Sequence, residues 1–236
     1  GKEPYMAVLT HGYVVDGKGK KMSKSAGNVI APQKIIDQHG AEILRLWVAS
    51  ENYREDIRVS NEILKRLTES YRKIRNTIRY LIGNLYDFDP NNDRVHLESL
   101  PEIDRYILSR FNVLREKILS AFENYEFHTF YHSFTNFCVV ELSAFYLDIL
   151  KDRVYTYPVN SEGRRAGQTT LYILLMGMVR LIAPVLSFTS EEIWRYLPKG
   201  SAEEKSVHHS LFPGNENVEF GEELTRNWEL LVQLKG

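Results

Sequence analysis

One cysteine, Cys138, is all the thiol chemistry that 236 residues contain. An internal disulfide is therefore impossible, as is a zinc site built from several cysteines. The apolar run Asn136-Phe137-Cys138-Val139-Val140 reads as the setting of a buried, inert thiol in a reducing, cytoplasmic compartment. A clean hydrophobic span is also missing. The longest apolar region, residues 171–188, is interrupted by Arg180 and Pro184 and falls short of the roughly 20 uninterrupted residues a bilayer crossing needs, so no membrane partner is expected. Glycine (14) and proline (8) are too few for a collagen-like or low-complexity chain. There is no initiator Met and no charged-then-apolar leader; the expectation is a piece of a longer protein without a signal peptide.

Excess charge is lacking as well: 30 Lys+Arg stand against 31 Asp+Glu, a net of −1, which excludes a uniformly basic nucleic-acid binder. The balance is an average over unlike parts. Residues 1–85 hold 15 basic and 9 acidic side chains, a net of +6, and residues 86–236 hold 15 and 22, a net of −7. A polyanion partner would meet the N-terminal part.

What is present is mostly helical periodicity. Residues 5–10 and 13–15 read as short apolar strands, followed by a loop over 16–28 with three glycines, four lysines and two serines, and Asp16 as its only acid. Pro32 suits the first turn of a short helix that Gly40 closes, and residues 41–50 form a second helix packed on it, with Trp47 assigned to packing. From a cap at Ser60 or Asn61, the residues Ile63, Leu67, Tyr71, Ile74, Ile78, Leu81 and Leu85 recur at steps of four and three along one long helix. Further helices are expected over 101–122, 127–151 and 164–182, and a fifth from Thr189, which has capping-box spacing to Glu192. Glu191 and Glu192 are read as capping charge at that helix start. The fold class is mainly α: an antiparallel helix bundle preceded by a short α/β portion. The division is 1–60, 61–200 and an acidic extension, 201–236.

Glycines that let backbone N–H groups approach an anion, beside clustered ammonium groups, suit a polyphosphate; a solvated surface loop is the other reading. The order of residues weighs between them. Lys21-Met22-Ser23-Lys24-Ser25, continued by Gly27-Asn28 and Pro32, resembles the signature loop of class I aminoacyl-tRNA synthetases. Residues 40–50, Tyr53, Asp56, Val59-Ser60, 71–77, 145–153 and 186–194 narrow the resemblance to the bacterial-type isoleucyl enzymes, over about residues 1–200. The last 36 residues match less specifically.

That resemblance implies an activity, ATP-dependent activation of isoleucine and its transfer to tRNA(Ile), in a cytoplasmic, monomeric enzyme. Lys24 would stabilise charge on the departing pyrophosphate, with Lys21 and Ser23 supporting catalysis and Lys21, Met22, Ser23, Lys24 and Ser25 binding ATP. Mg2+ would accompany the nucleotide. The family's His-Ile-Gly-His motif and editing domain are not in this sequence, and Thr10-His11-Gly12-Tyr13 is not a copy of that motif, so the chain alone is expected to be inactive. The zinc-binding tail of many relatives is excluded by the single Cys, and no metal site is expected.

Lys65, Arg72, Arg75 and Arg79 gather in a narrow band on the long helix, opposite its apolar arc. By itself the band is an ordinary solvated face; with the resemblance it becomes a phosphate-tracking stripe for tRNA, joined by Arg45, Arg54 and Arg58 in the segment that implies a stem contact. Trp194, Phe130 and Phe134 could stack on bases but are assigned to the core. The alternatives are a valyl or leucyl enzyme, disfavoured by residues 44–48 and 151–153, and a non-catalytic helical RNA-binding or scaffold domain.

Overall fold

A computed structural model describes residues 3–198, 200, 204–215 and 221–235. Of the acidic extension, Glu203, Glu216 and Glu219 lie outside the described residues. The elements follow in the order β1 (Val14–Asp16), α1 (Pro32–His39), α2 (Ala41–Ser50), β2 (Ile57–Val59) and α3 (Asn61–Gly83), then α4 (Glu102–Glu123) and α5 (Phe127–Asn136). The last helix runs on through a π-helical stretch, Phe137–Tyr146, into α6 (Leu147–Thr156), and α7 (Glu162–Ile182), α8 (Ser187–Trp194) and α9 (Glu222–Lys235) follow.

The short α/β portion is one crossover. β1 and β2 pair in parallel, Val14 opposite Ile57 and Asp16 opposite Val59, with α1 and α2 in the connection. Parallel neighbours need such a connection, because a tight turn joins only antiparallel strands. The expected strand over residues 5–10 does not form: Tyr5, Met6, Val8 and Leu9 are exposed, and among the described residues no strand lies beside them to accept their backbone hydrogen bonds. Gly12 is where the chain presses closest to its neighbour. Its N–H donates to Tyr53 O at 2.8 Å, and a Cβ there would stand 2.2 Å from Glu55 O. Trp47, 5% exposed, donates its indole N–H to Arg58 O at 2.9 Å and fastens α2 to β2.

Around α7 the bundle is built. Every residue from Ala166 to Val179 is buried, so α7 is apolar or satisfied on all sides and is the central helix, packed against α3, α4, α6 and α8. Its buried polar groups find partners: Gln168 donates to Asn84 O at 2.9 Å, and Thr169 Oγ1 accepts from Val95 N at 3.0 Å. At its start Arg164, 4% exposed, bonds both oxygens of Asp87, at 2.7 and 3.0 Å.

Ser60 caps α3, its hydroxyl accepting from Ile63 N at 3.2 Å. The buried stripe of α3 is Leu64, Leu67, Ile74, Ile78 and Leu81, with Ile63 only half buried; the inward face is turned slightly from the expected one. The run Phe127–Thr156 extends past its expected end at 151. It is also, among the described residues, the one helix long and apolar enough to cross a membrane by length and composition, with a mean hydropathy of 1.3 in its most apolar window. Here it packs in the bundle: Phe130, Phe134, Phe137, Cys138, Leu142, Phe145, Tyr146 and Leu150 are buried against α3, α4 and α7. The Cys138 thiol is fully buried, which pushes its pKa up and keeps it protonated.

A second expectation is overturned at α8. The helix expected to start at Thr189 begins at Ser187, and the Thr189–Glu192 capping box does not form. The acceptor at this helix start is the Glu42 carboxylate of α2, which receives the N–H of Phe188 at 2.8 Å and of Thr189 at 3.1 Å. Glu191 turns instead to Ser206 Oγ, at 2.8 Å, and Val207 N, at 3.2 Å.

Deep in the bundle Asp104, 0% exposed, accepts from Tyr146 Oη at 2.8 Å and from both terminal nitrogens of Arg153. Burial and the neighbouring carboxylate push the Tyr146 pKa well up, so the phenol remains a donor. Removing the carboxylate would strand a guanidinium and a phenol away from water. Asp104→Ala is expected to lower unfolding free energy by about 3–5 kcal/mol, read from urea denaturation.

Candidate functional site

The lysine loop has a frame and a display. The frame is Asp16: its backbone N–H and C=O bond Lys20 O and Gly19 N, both at 2.9 Å, and its carboxylate accepts from Lys18 N, Lys20 N and Asn28 Nδ2, each at 2.9 Å. Gly19 makes the turn possible by adopting φ +76, and the Arg58 guanidinium lies against it, 3.6 Å from where a Cβ would stand. Asn28 closes the other end, accepting from Ser23 N at 2.9 Å. Ser23 Oγ accepts from Ala26 N at 3.2 Å and lies 3.2 Å from Ser25 Oγ. Met22 is half buried on the core and anchors the middle.

The display is cationic. Lys20, Lys21 and Lys24 are exposed, and among the described residues no carboxylate pairs with any of them. Lys21 stands 5.1 Å over the Tyr13 ring, a contact that holds the ammonium without neutralising it. The result is a set of cations on a preformed backbone, the arrangement that binds polyphosphate at low ordering cost.

On α3, Lys65, Arg72, Arg75 and Arg79 are all exposed on one side, with no ion pair to a described residue. Arg75 and Arg79 also edge a groove of about 320 Å³ between α3 and α8, floored by Ile78, Ile82 and Ile193 and walled by Thr189, Glu192 and Tyr196. Tyr196 is 69% exposed there. Such a groove offers cations for phosphate, an aromatic face and an apolar floor, the elements by which proteins hold unstacked RNA.

Residues 104–235 match the family described as the anticodon-binding domain of tRNA ligase, and residues 1–60 match the class I tRNA synthetases for I, L, M and V. The chain belongs to the anticodon-binding domain family of tRNA ligases. It is 54% identical, over all of its length, to the isoleucine–tRNA ligase of Natranaerobius thermophilus, and 52% identical to that of Geobacter sulfurreducens. It covers 25% of each, so the chain spans about a quarter of the length of these curated relatives. Among solved structures it is similar to the LeuRS of an Agrobacterium radiobacter K84 LeuRS-tRNA-LeuAMS complex, with a TM-score of 0.67 and 19% identity over 94% of this chain and 25% of that one. It is likewise similar to Mycobacterium tuberculosis methionyl-tRNA synthetase in complex with methionyl-adenylate, with a TM-score of 0.64 and 18% identity over 78% of this chain and 36% of that one. At those identities the two likenesses concern the fold.

In this anticodon-binding domain and its N-terminal portion, the expected site residues form two groups and three separate arginines. Lys21, Met22, Ser23, Lys24 and Ser25 share the loop; Lys65, Arg72, Arg75 and Arg79 share the α3 face; Arg45, Arg54 and Arg58 do not form one cluster. Arg58 flanks the loop. Arg54 donates to Asn124 O, at the end of α4, at 3.3 Å. Arg45 spends its guanidinium inside the chain, on Val185 O at 2.9 Å, Pro184 O at 2.7 Å and Ser187 Oγ at 3.3 Å, so it acts as a pin between α2 and the start of α8. Trp194, Phe130 and Phe134 are core residues, 0%, 1% and 1% exposed. The reading from sequence missed Asp16 and Asn28 as the loop's organisers. The signal was there: one acid in a lysine-rich loop, with an Asn just beyond, is the composition of side-chain-to-backbone turns.

The Asp16 carboxyl is held below the usual carboxylate range, first by the Asn28 hydrogen bond and then by the Lys20 and Lys18 amides. A depressed folded pKa means the frame is intact above the ordinary carboxylate range and is lost as pH falls through the lowered value. The Lys18 and Lys20 amide resonances are expected to hold constant near neutral pH and to shift together only in that acid range. Asp16→Asn should shift both at neutral pH.

Proposed function

We propose that this chain is the part of an isoleucine–tRNA ligase that carries the ATP-side lysine loop and the tRNA-binding bundle, divided into 1–60, 61–200 and a C-terminal extension, 201–236. The observation that carries the reading is the loop: a backbone fixed by Asp16 and Asn28, presenting exposed, carboxylate-free lysines. The relatives named isoleucine–tRNA ligase support the amino acid, and the methionyl-adenylate complex of a fold neighbour supports adenylate chemistry in the full enzyme.

The reaction joins two steps. The isoleucine carboxylate attacks the α-phosphate of ATP and pyrophosphate leaves, giving isoleucyl-adenylate; a tRNA hydroxyl then attacks its carbonyl carbon, forming the ester as AMP leaves. Charge develops on the leaving pyrophosphate, and Lys24, exposed and carboxylate-free, is the group that meets it. Lys21 adds charge, while Ser23, Ser25 and Met22 hold the loop's shape. Mg2+ is expected with ATP in the full enzyme; within the loop the one carboxylate, Asp16, is taken up by three hydrogen bonds and holds the backbone. Remaining ATP contacts lie elsewhere in the enzyme. The chain alone neither activates isoleucine nor charges tRNA, and the buried lone cysteine provides no thiolate zinc site.

Lys65, Arg72, Arg75 and Arg79 lie against the tRNA backbone, with Arg58 beside the loop, Arg54 at the end of α4 and Arg45 positioning α8. The tRNA in the LeuRS complex supports this assignment of partner. The protein is read as a cytoplasmic monomer.

In the full-length ligase, Lys24→Ala is expected to slow isoleucine-dependent pyrophosphate exchange by about 10²–10³-fold, with a much smaller change in the KM for ATP. An unchanged exchange rate would refute the loop assignment. Arg72→Ala, Arg75→Ala and Arg79→Ala combined should weaken tRNA binding and flatten its salt dependence by about three units of log-log slope or slightly less, measured by filter binding from low to moderate salt. No tRNA binding by the wild-type bundle at low salt would favour a scaffold.

A further inference from the structure

The groove beside the basic stripe and the lysine loop are joined by one short path of directional bonds. Thr189, a wall of the groove, donates its N–H to Glu42 at 3.1 Å; its hydroxyl also bonds Glu42 and lies 2.8 Å from Tyr71 Oη of α3. Glu42 is in the first turn of α2, and Arg45, one turn on, holds the two carbonyls and the hydroxyl at the start of α8. From α2 the path continues through Trp47 Nε1 to Arg58 O of β2, and β2 pairs with β1, whose last residue, Asp16, is the frame of the loop.

We infer that Glu42 is a positioning residue that couples tRNA occupancy of the α3–α8 groove to the lysine loop. The physical reason is that one carboxylate serves as the N-terminal acceptor of α8, so α8 cannot shift when RNA enters its groove without moving α2. The same α2 is bonded to the strand pair that carries the loop. A merely structural cap would support both elements equally whether or not tRNA is bound. A coupling residue acts only when both sites are engaged.

The inference rests on the tRNA reading above, and the test separates their failures. In the full-length ligase, three quantities are measured for wild type, Glu42→Ala and Glu42→Asp: pyrophosphate exchange without tRNA, the Kd for tRNA(Ile), and the kcat of aminoacylation. For Glu42→Ala, which removes the acceptor of both amides, the exchange rate and Kd are expected to stay within about threefold, while aminoacylation kcat falls about tenfold, the usual size of a coupling between sites. Glu42→Asp, which keeps the charge but shortens its reach to the Phe188 and Thr189 amides, should show the same pattern at smaller size, and it decides alone if Glu42→Ala does not fold. Equal losses in exchange and aminoacylation, a loss carried wholly by Kd, or no loss at all would overturn the coupling. A wild-type enzyme that does not bind tRNA would instead overturn the functional reading.

Discussion

The first turn of a helix presents backbone N–H groups that its own residues cannot satisfy. At α8 the missing acceptor comes from another helix, the Glu42 carboxylate of α2, while Arg45 satisfies the carbonyls that α7 leaves behind at Pro184 and Val185. Opposite charges one turn apart on α2 thus serve the two orphan ends of a helix–helix corner. Everything on either side is arranged around that corner. α3 rises against it through Tyr71, and β2 hangs from α2 through Trp47. One hydrophobic core runs from Ile35 and Ile43 through the bundle to Trp194 and Val207, without a break between the α/β portion and the helices.

Within the bundle, a central helix buried on all sides could slide or rotate if only apolar contacts held it. Buried polar pairs fix its register. Asp87 receives Arg164 and Gln168 of α7, and in the same way Asp104 of α4 receives Tyr146 and Arg153 and fixes the neighbouring long helix. Each network is satisfied by several donors, the condition under which a buried carboxylate is tolerated. The Asp87 carboxyl is accordingly held below the usual range, chiefly by Arg164.

The surface divides the same residue types by environment. Arginines that meet carboxylates or carbonyls, such as Arg153, Arg164 and Arg45, are structural, whereas Arg72, Arg75 and Arg79 on α3 and the loop lysines face solvent with no described carboxylate. Net charge near zero conceals that division, because the acids that balance the count lie largely beyond residue 85, away from the loop and α3 in the sequence.

Periodicity and local chemistry alone determined much of this protein. The α1 and α2 boundaries, the Ser60 cap, the single side of α3, the core placement of Trp47, Trp194 and Cys138, and the position of the lysine loop depend on neighbours within a turn or two, and those are written side by side in the chain. The parallel pairing of Val14 with Ile57, the π-helical stretch at 137–146, and the choice of Glu42 over Glu192 as the acceptor for α8 were decided by tertiary structure. Thr189 and Glu192 have the right spacing, but a carboxylate 147 residues before Thr189 reaches the same amides once α2 packs on α8. Arg45 is the same lesson in reverse. Its sequence marks it as a cation, and only the fold shows which of its possible partners is already in its grasp, because hydrogen-bond acceptors on a distant corner leave no trace in local pattern.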